Sequence, residues 1–336
     1  MGIFQPRTED ENENNEEEET DQKSLLNLHI IKSIKKYDKI FCVVFFPKSG
    51  NYIISFENRL ELYNKNHILI NSYKNVAGGY FTQLCLIDEN ILVYYKSNNI
   101  DLVILSIENL KLKVIQKIEY IHDFPYRIIK GNSEQEFISQ DIYGITKIWK
   151  KDNNSNMFNC LKIIRFSMDS SVFDHVSYTY TDLLIINDIL ITKCKRLFFY
   201  DIKNDYQLKK TFDIYTNDNN KDNFSIIDKK NKIFSVNSEK IYIFKIYNND
   251  NIQLCANIYL GDYDCYYMST FLFKKKYILI SNNIGNLFIL NSYNYKLIDK
   301  LKIKKAISRG QEFIMYKLNE NSFAIYNENE LKIYKS

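Results

Sequence analysis

The chain has 336 residues, of which 45% are hydrophobic and 26% are charged, an ordinary globular balance that excludes a wholly disordered protein. Tyr (27) and Phe (22) are abundant and Gly (9) and Pro (3) are scarce, which excludes collagen-like, proline-rich and disulfide-scaffold classes. The longest apolar runs, such as residues 40–46, are far shorter than the roughly 18–20 residues of a membrane-spanning helix, and no secretory signal is visible. We therefore expect a cytoplasmic protein, with a nuclear one also open, and neither a secreted nor a transmembrane one.

The net charge of +4 is unevenly distributed along the chain. Residues 1–25 carry nine acidic and two basic side chains, a net −7, which leaves +11 for residues 26–336. This acidic segment has almost no apolar residues after Phe4, so burial could not repay the entropy of ordering it. We predict a disordered acidic tail that aids solubility. A tail that folds over a basic face, or that docks a basic partner, stays open as a second interpretation.

From residue 26 onwards, short apolar segments rich in Ile, Val, Tyr and Phe alternate with segments rich in Asn, Asp and Lys, which is typical of strands and turns. One kind of strand, apolar and ending in a large residue, recurs seven times. Its last residues stand at positions 63, 105, 149, 200, 244, 290 and 334, at intervals of 42, 44, 51, 44, 46 and 44. A period near 45 predicts the four-stranded blades of a β-propeller.

Two of these repeats carry a recognisable turn. In the third, a strand, an Asp-x-x-Gly turn at Asp141–Gly144 and a strand ending in Trp149 follow one another, and residues 277–290 have a similar order. In both, Gly lies five residues before the last large residue. These segments resemble the WD-repeat β-propeller family, although its Trp-Asp dipeptide survives only as Tyr200-Asp201 and its Gly-His dipeptide is absent. His122 lies near the Gly-His position and is expected to bond within its blade.

The resemblance covers residues 26–336 and implies an all-β fold, a seven-bladed β-propeller with four-stranded antiparallel blades. Trp149 is then expected to fill a layer between blades and not to stack on a ligand. The predicted domains are a tail at 1–25 and a propeller at 26–336, with blades at 39–74, 80–119, 126–165, 172–214, 223–259, 268–303 and 311–335, the last joined by 26–34.

The two ends of the chain are predicted to complete one blade. The last repeat has three predicted strands, and residues 26–34 form a strand-like segment with no blade of its own. Because closing a ring removes exposed sheet edges, we predict that residues 26–34 pair with the strand around Ile333. The same residues have apolar side chains at i, i+3 spacing, so a basic amphipathic helix on a membrane surface stays open as an alternative.

No catalytic, cofactor or metal motif is found. Gly-rich phosphate loops, His-Glu-x-x-His and Gly-x-Ser-x-Gly are missing from the sequence. Asp174–Ser177 contains the residue types of a nucleophilic triad, but triads are set by geometry and not by adjacency. The six cysteines include no C-x-x-C pair and the four histidines are scattered, so no metal site is predicted and the thiols indicate a reducing compartment. Cys42 and Cys85 lie in apolar strands and are predicted to be buried.

We predict a non-catalytic scaffold or adaptor that binds other proteins in a larger complex and is monomeric outside it, because loops on a rigid frame form good recognition surfaces. Two alternatives stay open, an enzyme that uses the central channel and a propeller recruited to membrane phosphoinositides. For the second, Ile307–Gly310 keeps one arginine of the Phe-Arg-Arg-Gly motif of phosphoinositide-binding propellers.

Nucleic acid is not expected as a partner, because the basic residues are mixed with acidic ones. The short basic runs at 274–276 and 302–305 are expected to be solvated edges or loops. The acid-bearing segments Asp262–Asp264 and Glu134–Glu136 are also expected to be solvated, although carboxylates gathered at the channel mouth would favour the enzyme.

Overall fold

In the computed structural model, seven four-stranded antiparallel sheets form a closed ring, which confirms the predicted all-β, seven-bladed propeller. The structure describes residues 26–36, 38–74, 83–96, 101–119, 125–141, 143–165, 182–193, 196–213, 223–237, 239–247, 251–260, 266–303 and 313–336. Within these residues every regular element longer than a turn is a β-strand. The predicted tail at 1–25 lies outside the described residues.

The strands follow one another as a meander in each sheet. In chain order they are β1 His29–Lys35, β2 Cys42–Phe45, β3 Tyr52–Ser55, β4 Arg59–Tyr63, β5 Leu69–Lys74, β6 Leu84–Asp88, β7 Ile91–Lys96, β8 Asp101–Glu108, β9 Lys111–Ile118, β10 Pro125–Lys130, β11 Glu136–Asp141, β12 Thr146–Lys151, β13 Phe158–Ile164, β14 Asp182–Ile186, β15 Ile189–Lys193, β16 Arg196–Asp201, β17 Gln207–Asp213, β18 Asn223–Asp228, β19 Ile233–Asn237, β20 Ile241–Ile246, β21 Ile252–Ile258, β22 Tyr267–Phe273, β23 Tyr277–Asn282, β24 Asn286–Asn291, β25 Leu297–Lys302, β26 Ile314–Lys317, β27 Ser322–Tyr326 and β28 Glu330–Lys335.

Blades 1 to 6 are β2–β5, β6–β9, β10–β13, β14–β17, β18–β21 and β22–β25, and blade 7 is β26–β28 with β1. The first strands of successive blades contact one another around the ring, so they lie innermost and the fourth strands form the rim. In such a meander the turns between first and second strands and between third and fourth strands share one face. We call this the lower face, and the face with the turns between second and third strands the upper face.

The closing strand β1 is the fourth strand of blade 7. It runs antiparallel to β28, with Lys32 opposite Ile333 and Lys35 opposite Glu330. The Ser33 hydroxyl donates a 2.8 Å hydrogen bond to Glu330 across the pair. The predicted closure is confirmed and the amphipathic-helix alternative is wrong. The strand begins at His29 and not at residue 26, because Leu26 instead turns inward and is buried among the apolar residues of blades 6 and 7.

The core consists of seven apolar layers, one between each pair of neighbouring blades. The layer between blades 4 and 5 is aromatic, with the rings of Phe234 and Phe244 stacked 5.2 Å apart. Second and third strands are buried on both faces, as all four residues of β3 illustrate. This explains why the third strands read as continuous apolar runs that end in a large residue.

Polar side chains on or just before the first strands join neighbouring blades. Innermost strands leave backbone N–H groups without a partner on the channel side, and burying such groups unpaired is costly. At four interfaces a side-chain oxygen of one blade accepts a hydrogen bond from a backbone N–H of the next. The acceptor and donor residues are Gln83 and Ile128, Asp182 and Phe224, Ser225 and Thr270, and Ser269 and Met315.

The turns that carry the family resemblance have closely similar geometry. Gly144 and Gly285 both have positive φ, 83° and 82°, which favours glycine. Three residues before each glycine lies Asp141 or Asn282. The side-chain Oδ1 of this residue accepts a 2.8 Å hydrogen bond from the backbone N–H four positions later in the chain. The sequence pattern therefore reflects a side-chain-stabilised turn on the upper face.

Trp149 lies in the layer between blades 2 and 3 and is 5% exposed. Its Nε1 donates a 2.8 Å hydrogen bond to the Ser139 hydroxyl on the adjacent strand. Its ring stacks on Phe137 with centroids 5.7 Å apart and an interplanar angle of 11°. The indole is thus enclosed by blade residues on its ring face and at its polar atom.

Truncation tests the closing strand. Removing residues 1–25 is expected to leave thermal stability nearly unchanged, since the deletion stops before buried Leu26. Removing residues 1–35 is expected to lower the melting temperature sharply and to promote aggregation, because β28 becomes an open edge and two apolar layers lose members. Differential scanning fluorimetry and light scattering measure both effects. Equal stability of the two truncations would contradict the assignment of β1 as a closing strand.

Truncation of Trp149 tests the blade 2–3 layer. Trp149→Ala is expected to cost about 3–5 kcal/mol of unfolding free energy, because a large cavity remains and the hydrogen bond to Ser139 is lost. Tyr293→Ala is the matched control, since that aromatic side chain is 81% exposed and its loss is expected to have little effect. Urea denaturation of both variants is the measurement. A Trp149→Ala protein of unchanged stability that no longer bound a partner would show the residue to be a ligand contact.

Candidate interaction surfaces

In the part of the chain that the structure describes, no group of three His, Cys, Asp or Glu side chains could hold a metal ion. Several sequence candidates lie outside the described residues, namely His122, Asp174–Ser177, Asp262–Asp264 and Ile307–Gly310. The expectation for Glu134–Glu136 is wrong at Glu136. This residue begins β11, is 9% exposed, and accepts a 2.5 Å hydrogen bond from the hydroxyl of Tyr206 in blade 4.

The described thiols fall into two groups. Cys42 and Cys85 are buried on first strands, as predicted, and both are free. Burial raises the pKa of both, that of Cys85 to about 12, so these thiols are protonated and unreactive at neutral pH. Cys160 and Cys255 are free and exposed on the rim strands β13 and β21.

A buried carboxylate joins three blades near the channel. Asp182 begins β14, is 1% exposed, and lies with Oδ1 2.7 Å from Nε of Arg127 on the first strand of blade 3. Its Oδ2 accepts a hydrogen bond from the backbone N–H of Phe224 in blade 5. Burial raises the pKa of Asp182, and the charge of Arg127 and the backbone donors oppose that rise. Because both carboxylate oxygens are occupied within the protein, this group holds the blades together.

A second buried carboxylate fastens the closing strand to blade 1 on the upper face. Glu61 accepts hydrogen bonds from Lys36 at 2.9 Å, from Arg59 Nε at 2.8 Å and from the Tyr63 hydroxyl at 2.5 Å. Lys36 directly follows β1, so its ion pair links blade 7 to blade 1. Burial alone would raise the pKa of Glu61, but the bonds from Tyr63, Arg59 and Lys36 together lower it.

The rim exposes large apolar side chains, and β13 of blade 3 carries a notable pair. Leu161 is 62% and Ile163 46% exposed, and their alternate positions place both on one face of the strand. The strand is held on both sides. Lys162 forms a 2.7 Å ion pair with Asp205 of blade 4, and the Gln116 amide of blade 2 makes two hydrogen bonds with the backbone of Phe158. A rigid edge strand with apolar side chains is suited to bind a protein segment.

The lower face is electrostatically uneven. The turns between first and second strands in blades 2 to 4 carry acids, and two of these contact the turn of the preceding blade. Glu89 accepts a 2.9 Å hydrogen bond from the backbone N–H of Lys48, and Asp188 accepts one of 3.3 Å from the Asn132 amide. The corresponding turns of blades 5 and 6 are rich in lysine. The short basic run at 274–276 is indeed an exposed turn, as expected from the sequence.

No protein-family model and no curated protein matches this sequence. Among solved structures, the crystal structure of the Cps50 (Swd1) β-propeller domain from Myceliophteria thermophila is similar, with a TM-score of 0.71 and 12% sequence identity over 92% of this chain and 99% of that one. In all, 1652 chains match. At this identity the likeness shows the fold alone, a seven-bladed β-propeller. Within the described residues no helix has the length and apolar character needed to cross a bilayer.

The ion pairs of Glu61 predict an acid-dependent loss of stability. The pKa of Glu61 in the folded protein lies below its ordinary value of 4.5, so the ionised carboxylate stabilises the fold fully above about pH 5. This stabilisation is lost as the pH falls through 4.5 and then through the pKa of the folded state. Glu61→Gln is expected to be less stable than the wild type at pH 7, by about 1–3 kcal/mol, and the gap should narrow towards pH 3. Urea unfolding at both pH values measures this. A gap independent of pH would contradict the ionic role.

Proposed function

We propose that this chain is a non-catalytic scaffold or adaptor that binds other proteins within a larger complex. The observation that carries the proposal is the rim of blade 3, where Leu161 and Ile163 stay exposed on a strand that is fixed to both neighbouring blades. Exposed apolar side chains on a braced edge lose little conformational entropy on binding, which favours affinity for a partner. The similar Swd1 structure is likewise a propeller domain, and this agrees with the proposal at the level of fold.

The partner that suits β13 is an extended protein segment. A fourth strand has a free edge whose backbone groups can pair with an added strand, while side chains on one face select apolar residues of that strand. The charged groups of the rim, such as Lys162, restrict pairing to partners that tolerate a cation at that edge. The free thiols of the described cysteines suit a reducing, cytoplasmic location for such a complex.

The test compares two leucines in equivalent strands. Leu161→Lys changes the proposed surface, and Leu208→Lys is the matched control, because Leu208 is 53% exposed on the rim strand of blade 4. Affinity purification with quantitative mass spectrometry is expected to lose the main partner, at least about tenfold, with Leu161→Lys alone. Both variants should melt like the wild type.

Two outcomes would contradict the proposal. Equal partner recovery by Leu161→Lys and Leu208→Lys would remove the blade 3 rim as the binding surface. A wild-type protein that enriched no partner and eluted as a monomer from native extracts would contradict the scaffold function itself.

A further inference from the structure

The first described residues enter the fold on the lower face, between blades 6 and 7. At the start of β1, His29 lies opposite Lys335, which is at the lower end of β28. Leu26 is 4% exposed and packs in the layer that contains Phe271 and Phe273 of blade 6. The chain that precedes Leu26 is therefore joined to the propeller at this point.

A lysine-rich turn touches this entry point. The Lys274 ammonium donates a 2.8 Å hydrogen bond to the Ser336 hydroxyl, and that hydroxyl donates in turn to the backbone carbonyl of Leu26. Lys274, Lys275 and Lys276 are all exposed in the turn between β22 and β23. Lys274 and Lys275 both have left-handed backbones, with φ of 49° and 55°, which are costly for side chains other than Asn and Gly. The turn therefore carries three consecutive exposed lysines, two of them in a backbone conformation that disfavours lysine.

The next turn around the ring adds to the same charge. Between β18 and β19 stand Lys229, Lys230 and Lys232, the first two exposed. The one acid of this turn, Asp228, accepts hydrogen bonds from the backbone N–H groups of Lys230 and Asn231 and from the Asn231 amide. We call these two lysine groups, residues 229, 230, 232 and 274–276, the basic patch. Among the described residues, no carboxylate lies within ion-pair distance of any of its six ammonium groups.

The acidic segment at residues 9–21 has the opposite charge to the basic patch and enough length to contact it. Nine of its residues between positions 9 and 21 are acidic. Asp21 is five residues from Leu26 and Glu16 ten, so at about 3.5 Å per extended residue they reach about 17 and 35 Å from the entry point. Tethering beside the patch gives the segment an effective concentration on the order of millimolar.

We propose that residues 9–21 dock on the basic patch of the lower face. The contact is ionic and covers lysines that would otherwise attract any acidic ligand. The segment then acts as a built-in competitor: an acidic partner must displace it, so access to the lower face depends on ionic strength and on the charge of the segment.

Carbodiimide crosslinking of the full chain tests the contact, because this reagent joins carboxylates to amines that form ion pairs. Peptide mass spectrometry is expected to find amide links from residues 9–21 to Lys274–Lys276 and to the lysines at 229–232. Lys111 is the matched control, an exposed lysine at the lower-face end of β9 in blade 2. Links to the patch should disappear in 1 M NaCl, where the Debye length falls to about 3 Å. Absent links, or equal links to Lys111, would overturn the proposal.

A binding measurement tests the competition. The probe is a synthetic peptide of residues 8–22, added to the wild type and to a full-length variant whose nine tail acids are changed by Glu→Gln and Asp→Asn. The peptide is expected to bind the neutral-tail variant at least about tenfold more tightly than the wild type. Adding Lys274→Gln, Lys275→Gln and Lys276→Gln to that variant should abolish the gain. Lys111→Gln should preserve it.

Equal peptide affinity for the wild type and the neutral-tail variant would overturn the proposal. Vesicles containing phosphatidylserine provide the last comparison. If they bind the wild type as tightly as the neutral-tail variant, the patch is open to a membrane and the segment does not occupy it. Binding only after neutralisation of the tail would support the occluding role.

Discussion

The closing strand β1 enters three kinds of contact at once, and the closed ring depends on their combination. It pairs with β28 along the backbone. Leu26 and Leu28 pack in the layer between blades 6 and 7, and Ile34 packs in the layer between blades 7 and 1. Finally, Lys36, which directly follows β1, forms an ion pair with Glu61 of blade 1. A single segment thus supplies a strand, parts of two apolar layers and an ion pair, so the seven interfaces form one cooperative unit.

Buried carboxylates form polar contacts between blades, in addition to the apolar layers. Asp182 meets Arg127 and Phe224 from the blades on either side, and Glu136 meets Tyr206 of the next blade. Apolar layers alone permit neighbouring sheets to slide, since dispersion contacts are weakly directional. A carboxylate with partners in two blades selects one relative position. Such groups add little net stability after their desolvation cost, and we ascribe to them the register between blades.

The ring was predictable from the sequence because its repeat is a burial pattern. Third strands are buried on both faces, so residues such as Trp149 and Leu290 end apolar runs that recur at intervals near 45 residues. The closing strand could be predicted because the last repeat has three predicted strands and the start of the propeller has one strand without a blade. Glu136 was missed because its burial depends on Tyr206, seventy residues away. The exposure of Leu161 and Ile163 could not be predicted either, because alternating apolar residues occur both on rim strands and on inner strands.

The pairing of Ser33 with Glu330 joins residues 297 positions apart, and this has a consequence for the order of events during synthesis. A ribosome working at about 5–20 residues per second takes roughly 15–60 s to make the intervening chain. During that interval β1 has left the ribosome without its partner, and blades 1 to 6 can form while the ring is still open. The lysines at positions 32 and 35 keep the waiting strand from pairing with other open edges. Nascent chains of this protein are therefore expected to engage chaperones, and to become protease-resistant only when the last blade has emerged.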